Sequence, residues 1–199
     1  MNYEIILASN NAHKLKEVRQ ILCPHGIIVY SLNDLNLKPE EVEENADTYF
    51  GNALIKAESI AKLTTMPIIA DDSGLEIEGM DNKPGLHSAR FAKECGGHEQ
   101  AFKVIFNSLG DNRKAKFVCD IVLLNVENKP LLFEGITNGE IATEVHGTDG
   151  FGYDPIFICE ETRKTYAEMG QDEKNKFSHR GKALKKLIAY LLINGKIKR

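Results

Sequence analysis

The chain has 199 residues, of which 42% are hydrophobic and 27% charged, and a formal net charge of −4. That is ordinary globular composition, long enough to bury a real core, and nearly balanced charge by itself points to no particular partner. No stretch approaches the roughly 18 apolar residues of a membrane span, and the opening residues lack a basic-then-apolar leader, so a cytoplasmic address with no membrane partner is expected.

Residues 3–8 (YEIILA) have the continuous apolar character of a buried strand. Ser9, Asn10 and Asn11 follow, all helix-capping types, and Leu15, Val18 and Leu22 then recur at helical spacing. The chain therefore opens strand, polar turn, helix. A short strand is predicted at 27–30, then an acidic loop in which Glu40, Glu41, Glu43, Glu44 and Asp47 lie close together. A helix over 47–62 buries Phe50, Ala53, Ala57, Ile60 and Ala61, and Pro67 stops any continuation. Residues 68–70 (IIA) form a strand that delivers Asp71 and Asp72 at its end, with Gly74 turning the chain.

Residues 80–91 contain Pro84 and Gly85 and are expected to be loop, followed by a helix at 98–109. Alternation over 115–125, a polar turn and a second apolar run at 131–133 signal a hairpin. A glycine-rich loop at 146–155, a strand at 156–158 and a final helix with Leu184, Leu187, Ile188, Leu191 and Leu192 on one face complete the chain. Interleaved helices and strands with a hairpin argue for a mixed α/β (α+β) fold as a single domain over 1–199. The four cysteines are dispersed, without the clustering of a zinc site, so buried thiols are expected and any metal should be held by oxygen.

Five segments carry candidate chemistry. The turn Ser9, Asn10, Asn11, Ala12, His13, Lys14 offers backbone N–H groups at the positive end of a helix, with an added cation, as a phosphate would require. Asp71 and Asp72 after an apolar strand are costly unless paired, hydrated or bound to a cation, and hard oxygen ligands of this kind suit Mg²⁺. Glu43 or Glu44 could supply a second carboxylate. Phe151, Gly152, Tyr153 and Asp154 combine an aromatic with flanking glycines, the freedom a ring needs to lie against a nucleobase. Lys174, His179 and Arg180 add donors suited to phosphate or a keto oxygen, the last two in the turn before the final helix. Neither a P-loop nor a dinucleotide fingerprint is present.

The runs ILASNNAHKLKEV, ADDSGLEIEGM with PGLHSARF, GFGYDPIF and EK followed by SHRGKAL are similar, in order and spacing, to the four signatures of the inosine/xanthosine triphosphate pyrophosphatase family. The resemblance covers essentially the whole chain. It implies a two-lobed fold with a long mixed sheet and a central substrate cleft, a homodimer, and Mg²⁺-dependent hydrolysis of ITP, dITP and XTP to monophosphate and pyrophosphate. Position by position it assigns Glu43 and Asp72 to the metal, Asp72 as proton acceptor, and Ser73 to substrate. It likewise assigns substrate binding to Ser9 through Lys14, to Phe151 through Asp154, and to Lys174, His179 and Arg180.

Two positions depart from the family pattern. Asn10 stands where glycine is usual, which asks the turn to accommodate a side chain. Gly51 replaces an acid that often precedes Asn52, removing one possible helper carboxylate. Three rival readings differ in their demands. A related pyrophosphatase would act on modified pyrimidine triphosphates or dUTP. A nucleic-acid-binding module would use the basic tail, nine Lys or Arg and no acid from 174 to 199. A catalytically silent sensor would bind nucleotide without turnover. Carboxylates in a phosphate-facing site disfavour the second, and Asp72 with Lys14 disfavours the third.

Overall fold

Strand β1 (Tyr3–Leu7) leads through a turn at 9–11 into helix α1 (Ala12–Leu22), as the capping residues require. A computed structural model describes residues 2–198. In it α1 ends in a turn containing Pro24 and closes on Gly26, whose φ of 73° is the left-handed conformation glycine favours. Strand β2 (Ile27–Tyr30) then returns parallel to β1, with Ile5 opposite Val29. Helix α2 (Tyr49–Ala61) is capped by Thr48, whose hydroxyl accepts the Gly51 N–H, and its first residue lies two beyond the expected start at Asp47.

The remaining elements are β3 (Ile68–Ile77), β4 (Lys83–Gly85), α3 (Ser88–Glu94), α4 (His98–Ser108), β5 (Lys114–Leu124), β6 (Leu131–Ile141), β7 (Phe157–Cys159), α5 (Gln171–Phe177) and α6 (His179–Ile193). The strand order is β2-β1-β3-β5-β6-β7, with β4 on β3. Parallel β1–β3 and antiparallel β3–β4 and β6–β7 pairs make the sheet mixed, in agreement with the expected α/β class.

The chain divides into two compact units. The first comprises Met1–Asp72, Cys119–Glu134 and Lys182–Arg199, and the second Ser73–Val118 and Gly135–Gly181. In the first, strand residues alternate between two cores. Ile5, Leu7 and Ile69 pack with Val18 and Leu22 of α1 and Leu184, Leu187 and Leu191 of α6. Ile6, Ile68 and Ala70 face the other way, against Ala53, Ala57 and Ile60 of α2. Coverage on both faces is why these strands are continuously apolar. The core of the second unit joins Leu75, Ile77, Phe102, Ile105, Phe117, Phe157 and Tyr166.

Several sequence expectations are corrected. Strand β3 does not stop at Ala70 and Gly74 does not turn the chain; the strand runs on to Ile77, because Leu75 and Ile77 resume the apolar alternation beyond the polar insert. Residues 80–91 are not loop, since β4 and the start of α3 lie there. That helix is short and its preceding His87 makes no side-chain cap. What fixes it is tertiary. Ser88 Oγ donates to the Gly85 carbonyl and accepts the Leu75 N–H, and Ala92 is buried. Helix α5 was not anticipated, and His179 and Arg180 begin α6 instead of preceding it. None of the four cysteines is in a disulfide, but only Cys119 and Cys159 are buried, whereas Cys23 is exposed. Among the described residues no helix is long and apolar enough to cross a membrane.

Asp120 is a buried acid on β5 with Oδ1 unbonded, although the Phe50 N–H is directed at its carboxylate. Burial first, then the negative charge of Glu134, push its pKa to about 6; the Phe50 contact opposes this and Asp72 adds to it. A folded value raised above the ordinary 3.8 favours the fold while Asp120 keeps its proton, and that contribution is lost as pH rises from about 4 through about 6. Asp120→Asn is expected to raise the melting temperature at pH 7.5, with the gain shrinking towards pH 4; thermal unfolding across that range measures it.

Candidate active site

In the first unit, Asn11 caps α1. Its Oδ1 accepts the N–H groups of His13 and Lys14 at 3.0 and 3.1 Å, while Ser9 Oγ accepts the Asn11 N–H. The turn is thus already tied by its own side chains, and Ser9, Asn10, Ala12 and His13 lie at or near the surface. Asn10 does not have positive φ, so replacing glycine there calls for no left-handed backbone. One turn into the helix, Lys14 Nζ reaches Asp71 Oδ2 at 3.0 Å. Asp71 is only 2% exposed, and its charge is tolerable at that depth because a cation meets it.

Asp72, 8% exposed, is held by α2. Asn52 Nδ2 donates to its Oδ2 at 3.2 Å, and Lys56 Nζ stands 3.5 Å from its Oδ1 and 2.8 Å from Glu44 Oε2. Asn52 and Lys56 are one helical turn apart, so both side chains leave the same face of α2. Burial lifts the Asp72 pKa above the ordinary carboxylate range even though Lys56, Lys14 and Asn52 pull it down. For Lys56 burial would lower the value, but Asp72, Asp71 and Glu44 outweigh it, leaving the ammonium more firmly protonated than usual. A lysine gripped by Glu44 and by an aspartate whose basicity burial raises is an arrangement able to handle a charged ligand and a proton.

Glu44 is the acid of the loop paired to Lys56; Glu43 is exposed on the same segment. The loop is tied to α2 a second time, because Asn52 Oδ1 accepts the Ala46 N–H at 2.9 Å. Gly51 shows why no side chain stands there. A Cβ at that position would lie 2.6 Å from the Ala46 Cβ. Among the described residues no three His, Cys, Asp or Glu side chains gather closely enough to cage an ion. The donors present are carboxylate oxygens on a buried strand and a neighbouring loop. This set fits Mg²⁺, which keeps several waters and leans on one or two carboxylates together with substrate phosphates.

In the second unit, the turn at 150–153 is built by glycines with φ of 79° at Gly150 and 65° at Gly152. Asp154 Oδ2 accepts the Phe151 N–H at 2.8 Å and the Lys174 ammonium at 2.6 Å, with both charged groups buried. A Cβ on Gly150 would fall 2.0 Å from that carboxylate. Lys174 Nζ also lies 4.7 Å from the Phe151 ring centroid, and Arg180 Cζ 6.0 Å from it. The Arg180 guanidinium, almost fully buried, donates to Ser73 Oγ at 3.2 Å. Tyr153 is buried; its hydroxyl donates to the Ser88 carbonyl and its ring meets His98 edge to face.

Within each unit, then, predicted residues cluster: Lys14 with Asp71 beside Asp72 in the first, and Phe151, Asp154, Lys174, Arg180 and Ser73 in the second. Asn52 and Lys56 were missed as site residues. Their signal was available, since an Asn and a Lys four apart on a helix otherwise facing inward with alanines are polar where the pattern asks for apolar. Asp120 was hidden within an alternating strand.

The profile of the Ham1 family matches residues 5–190. Among similar proteins, the dITP/XTP pyrophosphatase of Clostridium perfringens is 41% identical over 92% of this chain and 95% of its own length. That of Halalkalibacterium halodurans is 43% identical over 94% and 98%. The solved Ham1 protein of Staphylococcus aureus superposes with a TM-score of 0.83 at 37% identity, covering 97% of this chain and 99% of that one. A HAM1 protein from Coxiella burnetii gives the same score and identity over 95% and 98%. With a profile spanning nearly the full length and relatives above 40% identity, the chain belongs to the Ham1 family.

Proposed function

We propose that this protein hydrolyses deaminated purine nucleoside triphosphates, ITP, dITP and XTP, to the monophosphate and pyrophosphate, and so clears them from the cytoplasmic nucleotide pool. The observation that carries this reading is the pair of buried acids on β3, each matched to a lysine from a different helix. The activity of the dITP/XTP pyrophosphatases that are 41% and 43% identical to it supports this reading.

In this proposal the phosphates belong to the turn from Ser9 to Lys14, and the base to Phe151, Gly152, Tyr153, Asp154, His179 and Arg180, with Lys174 and Ser73 completing the substrate contacts. Glu43 and Asp72 would hold Mg²⁺, which when bound neutralises charge on the phosphate oxygens and the departing pyrophosphate. Asp72 orients water and takes its proton. The water oxygen bonds to the α-phosphorus, the bond to the bridging oxygen breaks, and pyrophosphate leaves with the electron pair. Lys56 and Asn52 keep Asp72 in one orientation, and Lys14 holds Asp71. Catalysis is then positioning and electrostatics without a covalent intermediate. A homodimer is part of the same proposal.

Donors on His179 and Arg180 would favour a keto oxygen at the purine 6-position, because adenine's amino group would set donor against donor. An unpaired buried donor costs about 1–3 kcal/mol, roughly 5- to 150-fold in discrimination. Pyrophosphate release should therefore favour ITP, XTP and dITP over ATP, and chelation of Mg²⁺ should abolish it; GTP, whose base shares the 6-keto oxygen and is not excluded by these donors, and dUTP complete the panel. Preference for dUTP or modified pyrimidines would overturn the assignment.

Asp72→Asn is expected to cut kcat by at least about 100-fold, the scale of a lost general base; near-normal turnover would rule out its role. Gly150→Ala should drive a methyl group into the Asp154 carboxylate and break its bond to Phe151 or Lys174. The expected result is a raised KM for ITP with the fold intact, read by steady-state kinetics and circular dichroism.

A further inference from the structure

The ring of His179 is not free to choose its own plane. His179 is 5% exposed and lies flat on Phe117, with ring centroids 4.5 Å apart and planes 8° from parallel. Tyr166, fully buried, extends the same set of parallel rings, 12° from Phe117 at 5.7 Å and 14° from His179 at 6.1 Å. Phe157 packs edge-on against Phe117 at 4.7 Å. The backbone before His179 is tied as well. Thr137 Oγ1 on β6 donates to the Phe177 carbonyl at 2.7 Å, and Ser178 Oγ accepts the Gly181 N–H at 3.0 Å. All of these residues belong to the second unit.

An imidazole N–H points within the ring plane, so whatever fixes that plane fixes where the donor can aim. The outer torsion of histidine has a broad, soft profile, and without a flat neighbour the ring swings over a wide arc. Phe117 supplies the flat neighbour. It is itself held by Tyr166 and Phe157, so the orientation of the His179 ring is imposed by a packed aromatic group and does not depend on any hydrogen bond that a substrate would have to make first.

We propose that Phe117 is a positioning residue for base selection: stacked on His179, it sets the plane in which the imidazole meets the 6-keto oxygen of a deaminated purine. The proposal rests on the assignment of His179 to the base made above. Phe117 touches no substrate in this account; it acts through His179 alone. Its loss should therefore erode discrimination between keto and amino purines while leaving the chemistry at phosphorus in place.

The test compares kcat/KM for ITP and ATP in wild type, Phe117→Leu, Phe117→Tyr and His179→Ala. Leucine keeps apolar bulk without a flat face, and tyrosine keeps the face. In Phe117→Leu the ITP-to-ATP ratio should fall about 5-fold or more, the lower end expected for one misdirected buried donor, through loss on ITP only. Phe117→Tyr should recover most of the ratio. A collapsed ratio in His179→Ala with an unchanged one in Phe117→Leu would overturn the role of Phe117 and leave the base assignment standing. An unchanged ratio in His179→Ala would overturn the base assignment itself. Should Phe117→Leu fail to fold, proton NMR of the wild type decides: His179 ring protons shifted upfield by the Phe117 ring current support the stack, and unshifted ones refute it.

Discussion

Two adjacent carboxylates on one buried strand cannot both be left without cations, and meeting that requirement organises the first unit. Asp71 and Asp72 point to opposite sides of β3, as successive strand residues must. Each is met at contact distance by its own lysine. Lys14 arrives from α1 and Lys56 from α2, and these are the helices that cover the strands. The demand for charge matching and the burial of apolar side chains therefore select the same arrangement. Each helix brings its lysine to the strand by burying its apolar face.

The second unit solves a related problem with one buried pair. Lys174 and Asp154 neutralise each other, and Asp154 uses its remaining capacity on the Phe151 N–H. The ion pair thereby becomes the anchor of a glycine turn that displays an aromatic ring. Glycine is required at 150 on two counts, the positive φ and the absence of space beside the carboxylate. Charge at this position has a positional purpose that an apolar pair could not serve.

Much of this was legible in the sequence. The opening strand, cap and helix were readable because Asn11, Leu15, Val18 and Leu22 each obey local rules, and the parallel strands because they are continuously apolar. The Asp71-Asp72-Ser73-Gly74 run misled because its residue types favour turns; the sheet overrode that preference by pairing on both sides of the insert. Helix α3 was invisible because tertiary bonds to Ser88 hold it and local propensity does not. Single residues from the site were recognisable by type. The pairing of Lys56 with Asp72, or of Phe117 with His179, is a fact about distant segments, and neither periodicity nor spacing encodes it.

The missing side chain at Gly51 couples two positions on the chain. Room for a larger residue there is taken by Ala46, whose N–H is bound to the same Asn52 that steadies Asp72. Positions 46 and 51 are thus coupled: placing an acid at 51 alone would push on the loop and, through it, on the asparagine. A side chain at 51 fits only together with a change at 46 or in the loop, so a single substitution there would misjudge what an acid contributes.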